Sequence, residues 1–519
     1  MLLGTALKAT ALRVPKAEAV VEGESRWTYA EFNSDVNRIA HGLKRIGLKL
    51  GDRIACSLTN RAEFFMLVLA TQKIGVVAVP LNYRLTHSEI DIIAADCCPR
   101  AWCFESVTAS ILSEASAGSD PNILRICCDP GSPISDVLFS DLLAEGDAGE
   151  PDEPAITDRS PSLIMYTSGT TGRPKGVVLD HRAQFINSIL MIAEFGLLQT
   201  DRTLHIAPLY HVAAYHVIAL PHILVGAANI LVRRYDPEAV AAVVEKEHIT
   251  NILGAPTHFE LWASRGPLPN SAALGRLRYA FITGAPARPE TVEWIQARLT
   301  TGLWNVYGQT EASSLITLLP PKEMARMGAI NCIGRTLVGM ETRIVPPDCP
   351  IDMHAGEPDM GELVARGPKL MTEYYGAPDK TATKLQNGWL RTGDLVQRDA
   401  DGYYYLLGRV DDLIITGGEN VYPIEIEQII AEHKDVADCA VVGIQDAVWG
   451  QIIAAFIVPT ETGCDMRSIT NHLDARVANH KRPRRWALIE AIPRNPSGKV
   501  ILRELRAKAA GLRDVKEFL

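Results

Sequence analysis

Short, continuously apolar runs, separated by segments of helical spacing, set the tightest limit on how this chain can fold. Asp52–Leu58, Val76–Pro80, Arg202–Ala207, Ala228–Arg233, Asn251–Gly254 and Tyr279–Thr283 read as strands. Between them, Tyr29–Ile46, Phe64–Ile74 and Glu238–Glu247 carry apolar residues at helical intervals. A strand apolar on both faces must be covered on both faces, so this alternation predicts an α/β body with parallel sheet between helices. From about Met340 the pattern changes to short strands and turns. After that come helix-like Pro423–His433, strand-like Asp438–Gly443 and Gln451–Pro459, and helix-like Met466–Asn479. The expected order is a large α/β body, a β-rich segment and a small C-terminal α+β domain, divided within Arg409-Val410-Asp411-Asp412. No fixed-period repeat or low-complexity tract interrupts it.

The 519 residues correspond to about three to four domain equivalents at ~150 residues each. Fifty-two Lys and Arg against sixty-one Asp and Glu leave a formal charge of −9, which argues against a general nucleic-acid partner without excluding a local anion site. The ten cysteines form no CxxC pair, so zinc or dithiol redox chemistry has no support and free thiols in a reducing, cytoplasmic setting are expected. The opening MLLGTALKATALRVPK lacks the order of a signal peptide. Val212–Val232 is broken by His216, Pro221, His222 and Asn229, and so predicts a buried helix and strand, not an integral membrane segment.

Chemistry first surfaces at Tyr166-Thr-Ser-Gly-Thr-Thr-Gly-Arg-Pro-Lys-Gly176, directly after the apolar run Ser162–Met165. It packs three glycines, four aliphatic hydroxyls and two cations into eleven positions. Glycines let backbone N–H groups surround an anion, and hydroxyls and Lys175 donate to phosphate oxygens. A Walker A loop is excluded: counted from Gly169, position six is Pro174, and Gly176 follows Lys175 where Ser or Thr is required.

This string resembles the phosphate loop of the AMP-forming acyl-CoA synthetase, or adenylate-forming, superfamily. Tyr307-Gly308-Gln309-Thr310-Glu311, Thr392-Gly393-Asp394, Gly408–Asp412, Gly417-Gly418-Glu419-Asn420 and Pro496-Ser497-Gly498-Lys499 follow in the family's order. The resemblance spans essentially the whole chain and implies a multi-subdomain N-terminal domain over residues 1–409, with two doubly covered sheets and a β-rich part. Residues 410–519 would form a mobile domain swinging about Asp411. It further implies two half-reactions: a carboxylate attacks the α-phosphate of ATP to give acyl-AMP and pyrophosphate, and a thiol then displaces AMP.

On that resemblance, Thr167, Ser168, Gly169, Thr170, Thr171, Gly172 and Lys175 would hold the phosphates. Glu311 would bind Mg²⁺ as a hard oxygen ligand, supported by Thr310. Tyr307, beside Gly308, would stack on adenine, with Gly284-Ala285-Pro286 on its other face. Asp394 would accept the ribose hydroxyls with Arg409 nearby, and Lys499 would be the catalytic lysine of adenylation. Gly417 and Gly418 would help form the pantetheine tunnel with Trp449. Lys481, Arg482 and Arg484, in a run of four cations over five residues, would meet the phosphates of coenzyme A, with Arg84 a second candidate.

Pro208-Leu209-Tyr210-His211-Val212-Ala213, with Ala255-Pro256-Thr257-His258, is most similar to 4-chlorobenzoate–CoA ligase and related aryl or medium-chain ligases. His211 would then lie at the carboxylate end of the acyl pocket, walled by Leu190, Val212, Ala213, Tyr215, Leu253, Thr283 and Ser313. Ser313 and Ser314 stand where that group has larger side chains, which implies a roomier, more polar pocket. The expected substrate is an aromatic or medium-size acid bearing a polar group. Fatty or dicarboxylic acids, and a carrier-protein thiol in place of CoA, are the alternatives, while intact motif residues argue against a ligand-binding pseudoenzyme. The chain stops near the family's last motif without a carrier domain, which favours free CoA. The family pattern leaves room for a homodimer.

Overall fold

The computed structural model describes residues 2–152, 155–167, 174–328, 332–347, 349, 351, 358–460, 463–494, 500–509 and 513–514. Three sheets carry the architecture. The first has eight strands, in the order Glu373–Tyr374, Lys175–Asp180, Pro161–Thr167, Val77–Pro80, Arg53–Ser57, Ala101–Phe104, Leu124–Cys127, Val137–Leu138. From Pro161–Thr167 onward its neighbours are parallel, as fully buried strands between helices should be. In the second sheet Glu18–Glu22, Ala228–Leu231, Arg202–His205, Asn251–Gly254, Tyr279–Ile282 and Leu303–Gln309 likewise run parallel.

The β-rich segment is not a separate sheet. Leu303–Gln309 pairs antiparallel with Ser314–Leu319, which pairs with Cys332–Thr336, and that strand pairs with Tyr404–Arg409. The path continues through Trp389–Arg398 to Met360–Arg366 and Glu341–Val345, making fourteen strands. Beyond a one-turn helix at Val410–Asp412 lies the third, six-stranded sheet, built on the hairpin Val436–Asp446 and Gly450–Pro459.

Local sequence explains the element boundaries. Thr28 and Glu31 close a capping box that starts the helix Tyr29–Arg45, and left-handed Gly75 ends the helix Ala62–Ile74. That second helix is buried along nearly its whole length, with Phe64 and Phe65 in the main core. The helix beginning at Met466 ends at Asp474, short of the Asn479 expected, and Arg482 donates to the Asp474 carbonyl left free there. Val212–Val232 resolves into a π-helix, Ala213–Ala219, a helix, Leu220–Val225, and the strand Ala228–Leu231. Among the described residues no helix is long and apolar enough to cross a membrane.

The first sheet depends on one buried cation. Arg61, 2% exposed, pairs with Glu63, Glu105 and Asp129, and Glu105 also accepts the Thr59 backbone N–H. Replacing Arg61 with Leu strands the buried Glu105 carboxylate without a counter-charge. The expected loss is about 3–5 kcal/mol, read as an earlier urea midpoint of the N-terminal domain; an unchanged midpoint would contradict this role.

Candidate functional site

The site lies where parallel strands end. Asn251–Gly254, Tyr279–Ile282 and Leu303–Gln309 are neighbours, and their carboxyl ends deliver Leu253, the Thr283–Pro286 loop and Tyr307 to one edge. Gly284 adopts φ +88°, and a Cβ added there would meet open space, so the turn leaves room above the sheet. The hairpin Trp389–Arg398/Tyr404–Arg409 brings Asp394 directly opposite Arg409.

Asp394, 6% exposed, is gripped on both oxygens. Tyr307 donates its hydroxyl to Oδ2 at 2.5 Å, and Arg409 Nη1 lies 3.0 Å from Oδ1. Burial, reinforced by the Asp394 charge, holds the Tyr307 phenol well above its ordinary range, so it remains a donor. Asp394 in turn raises the Arg409 guanidinium. Each carboxylate oxygen has a second lone pair, so this grip orients the acceptor without consuming it. Gly393 is required here: a Cβ would come within 3.2 Å of Arg409 Nη2, and its φ is +75°.

Glu311 sits in a short turn, Thr310–Ala312, at the end of the strand carrying Tyr307. Its Oε1 accepts the Tyr374 hydroxyl at 2.6 Å and its carbonyl accepts the Met371 N–H at 2.8 Å. Lys175 Nζ stands 5.3 Å from the centre of the Tyr374 ring. Tyr374 therefore links the phosphate-loop lysine to the expected metal ligand. Thr167 and Lys175 face each other across the antiparallel pair at the base of that loop. Ser168, Gly169, Thr170, Thr171 and Gly172 lie outside the described residues, as does Lys499. One carboxylate and a neighbouring hydroxyl suit Mg²⁺, which takes few protein ligands and arrives with phosphate oxygens.

Lys384 escaped the sequence reading. Its Nζ donates to the Thr392 carbonyl at 3.0 Å, and its charge is felt by Glu311, Asp394 and Arg409. Burial pushes its pKa down. No motif marks it, because it reaches the site from the helix Pro378–Lys384.

On the acyl side, His211 is half-buried and its Nδ1 accepts the Ala213 N–H at 3.2 Å, which places the imidazole proton on Nε2. The π-helix begins two residues later, and such turns recur at functional sites. Val212, Ala213, Leu253 and Ser313 are buried here, and the Ser313 hydroxyl has no hydrogen-bond partner. Tyr215 is buried as well, its ring packed against Phe64 and Phe65 at 6.0 and 6.1 Å between centres. Leu190 lies against Gly339. Arg84 stacks on Tyr83, which meets Tyr210 edge-on, so it stands on the His211 side.

In the C-terminal domain, Gly417 donates to the Trp449 carbonyl, and its φ of +60° lets the backbone approach the indole, where a Cβ would lie 2.9 Å from the ring. Gly418 is left-handed as well. Arg484 lies 4.0 Å over the Trp449 ring, so Gly417, Trp449 and Arg484 meet in one place. Lys481 and Arg482 do not join them. Lys481 is paired with Glu425 and Arg482 with Asp474, so the basic run is divided by local acids instead of forming one cationic face.

Among the described residues, the helix Pro423–Ala431 of this domain packs on the strand Tyr404–Arg409 of the body, and two side-chain contacts add to it. Asp438 binds Arg494 at 2.9 Å and lies 3.9 Å from Arg288, just past the Gly284–Pro286 loop. Tyr422 donates to the Met360 sulfur at 3.3 Å. Asp411 is exposed in the one-turn helix joining the two parts, and Asp412 beside it pairs with Arg506. A cleft of about 670 Å³, lined by Glu194, Arg335, Arg343, Trp389 and Tyr404, lies toward the other end of the hairpin and contains none of the predicted site residues.

Residues 7–375 match the family model described as AMP-binding enzyme, and residues 425–499 match its C-terminal domain. The chain is 34% identical over 501 residues to a feruloyl-CoA synthase of Amycolatopsis sp, covering 95% of this chain and 96% of that one. It is 33% identical over 511 residues to a long-chain-fatty-acid–CoA ligase of Mycobacterium tuberculosis, covering 97% and 98%. ATP-bound MatB from Rhodopseudomonas palustris superposes with a TM-score of 0.86 at 26% identity, covering 98% of this chain and 99% of that one. In sequence and in architecture, the chain belongs to the AMP-binding enzyme family.

Proposed function

We propose that the protein is an ATP-dependent carboxylate–CoA ligase that forms acyl-AMP and pyrophosphate, then a CoA thioester with release of AMP. The observation that carries this reading is the constellation at the strand ends: Asp394 oriented by Tyr307 and Arg409, and Glu311 linked through Tyr374 to Lys175. The first set suits a ribose, the second a phosphate chain with its cation.

In the first half-reaction a carboxylate oxygen forms a bond to the α-phosphorus as the bond to pyrophosphate breaks. Two anions must meet, so positive charge has to converge on them. Lys175, Lys384 and Arg409 supply it from the described residues, and Lys499 is assigned the approach to the carboxylate and α-phosphate. Mg²⁺ held by Glu311 and Thr310 would neutralise charge on the phosphate oxygens. The Nε2–H of His211 would donate to the incoming carboxylate, and the Gly284–Pro286 loop and Tyr307 would sandwich adenine.

In the second half-reaction the CoA sulfur bonds to the acyl carbon and AMP leaves. Residues 410–519 would turn about Asp411, withdrawing Lys499 and presenting Gly417, Gly418, Trp449 and Arg484 to the pantetheine arm, with Arg84 on the acyl side. Trp449 is 41% and Val448 83% exposed, a surface suited to being covered in that position. A carrier-protein thiol is the second reading, favoured by the engagement of Lys481 and Arg482 with local acids. The ten cysteines, all unpaired, suit a cytoplasmic enzyme. Every group named comes from one chain, so a homodimer is not required.

The acid is proposed to be aromatic or medium-sized with a polar substituent, because Ser313 leaves a buried hydroxyl without a partner. With ATP, Mg²⁺ and CoA, hydroxylated benzoates and cinnamates should release AMP faster than C4–C12 fatty acids or dicarboxylates; selective turnover of the latter defeats this choice. AMP release that requires a purified carrier protein and ignores free CoA would transfer the function to the second reading. Lys499→Ala should slow acyl-AMP formation by about 10²–10³-fold while leaving thioester formation from supplied acyl-AMP nearly intact. Equal loss in both steps would contradict the division of labour.

A further inference from the structure

Outside the proposed mechanism stands Lys369, a fully buried lysine for which no described carboxylate supplies an ion pair. It lies within the apolar core, on the segment between the strand Met360–Arg366 and Tyr374. Its ammonium has three N–H donors and meets three acceptors: the Ala312 carbonyl at 2.9 Å, the Leu315 carbonyl, and Asn187 Oδ1 at 3.1 Å. Burying such a group is costly, and burial pushes its pKa down to about 7. A lysine retained under that cost calls for a reason beyond packing.

The reason lies between its two carbonyls. Ser313 has φ +53° and Ser314 φ +130°, consecutive non-glycine residues in a region that side chains avoid. Such a backbone persists only where its surroundings over-determine it. The pair forms the bend between Glu311 and the strand Ser314–Leu319, beside a register shift against Gly308. Gly308 admits the close approach: a Cβ there would fall 1.7 Å from the Ser314 carbonyl oxygen. Asn187 completes the hold, accepting the Ser314 hydroxyl at 2.9 Å and donating to the His216 carbonyl at 2.8 Å. Met371 and Tyr374, on the segment of Lys369, bind the Glu311 carbonyl and carboxylate.

We infer that Lys369 is a positioning residue that clamps the strained Ser313–Ser314 bend, and through it sets both the Glu311 carboxylate and the Ser313 wall of the acyl pocket. The clamp stands on the geometry of this chain; only its kinetic consequence depends on the ligase reading. Removing the ammonium takes its donor from the Ala312 and Leu315 carbonyls, leaves Asn187 Oδ1 with the Ser314 hydroxyl alone, and frees the bend to relax toward negative φ. Glu311 then loses its register with Tyr374 and the phosphate loop.

The test compares wild type, Lys369→Met, Ser314→Gly and the double variant. Acid-dependent pyrophosphate–ATP exchange and amide hydrogen exchange across residues 310–319 are measured in each. Lys369→Met should lower kcat for adenylation by about tenfold or more, change KM for ATP by less than about threefold, and speed amide exchange at Ala312–Leu315. Glycine accepts positive φ without strain, so in the Lys369→Met background Ser314→Gly should restore part of the lost kcat. Strictly additive effects, or wild-type exchange across Ala312–Leu315 in Lys369→Met, overturn the clamp. If Lys369→Met does not fold, Lys369→Gln, with two N–H donors, takes its place; accelerated exchange supports the clamp and unchanged exchange overturns it. Absence of activity in wild type with every acid would count against the ligase reading, while the exchange data would still decide the clamp.

Discussion

The grip of Tyr307 and Arg409 on Asp394 joins parts of the chain that would otherwise have no reason to agree in position. Tyr307 comes from the last parallel strand of the second sheet, and Asp394 and Arg409 from opposite strands of a hairpin in the β-rich part. A continuous path of paired strands joins the α/β body to that hairpin, with register shifts at Tyr307/Gly308 and Cys332/Gly334. A charge-assisted bond inside a low-dielectric site fixes Asp394 against Tyr307 and Arg409. The geometry of an expected ribose site is therefore a by-product of sheet continuity, and the phosphate side is coupled to it through Glu311, four residues beyond Tyr307 in sequence.

Continuous apolar runs revealed the parallel strands because a strand covered on both faces has no polar side to confuse the pattern. The ordered motifs placed Asp394, Arg409, Glu311, Lys175 and Tyr307 in one site because each needs a chemically distinctive residue at a fixed spacing. Sheet continuity was invisible: pairing between Cys332–Thr336 and Tyr404–Arg409 spans about seventy residues and leaves no local mark. The π-helix Ala213–Ala219 was equally invisible. The π-helix changes the angular step per residue, so a side chain two positions after Ala213 turns into the core.

Charge was the least legible quantity. Lys481–Arg485 reads as a single basic run, yet Glu425, 56 residues from Lys481, and Asp474 divide it. Lys384 and Lys369 read as ordinary lysines and are among the most electrostatically constrained groups of the molecule. Burial converts an unremarkable cation into a determinant of local geometry, and burial depends on the whole fold.

Asp438 holds two arginines unequally. Arg494, in its own domain, is 2.9 Å away, whereas Arg288, on the body, is 3.9 Å away and more than half of its side chain is exposed. An exposed pair of that length contributes about 0–1 kcal/mol. This ion pair therefore adds little to the seam between the C-terminal domain and the body, while Arg494 stays fastened to the strand Val436–Asp446 of its own domain. What sets the position of the domain is packing more than charge: the helix Pro423–Ala431 lies against the strand Tyr404–Arg409, and Tyr422 meets Met360.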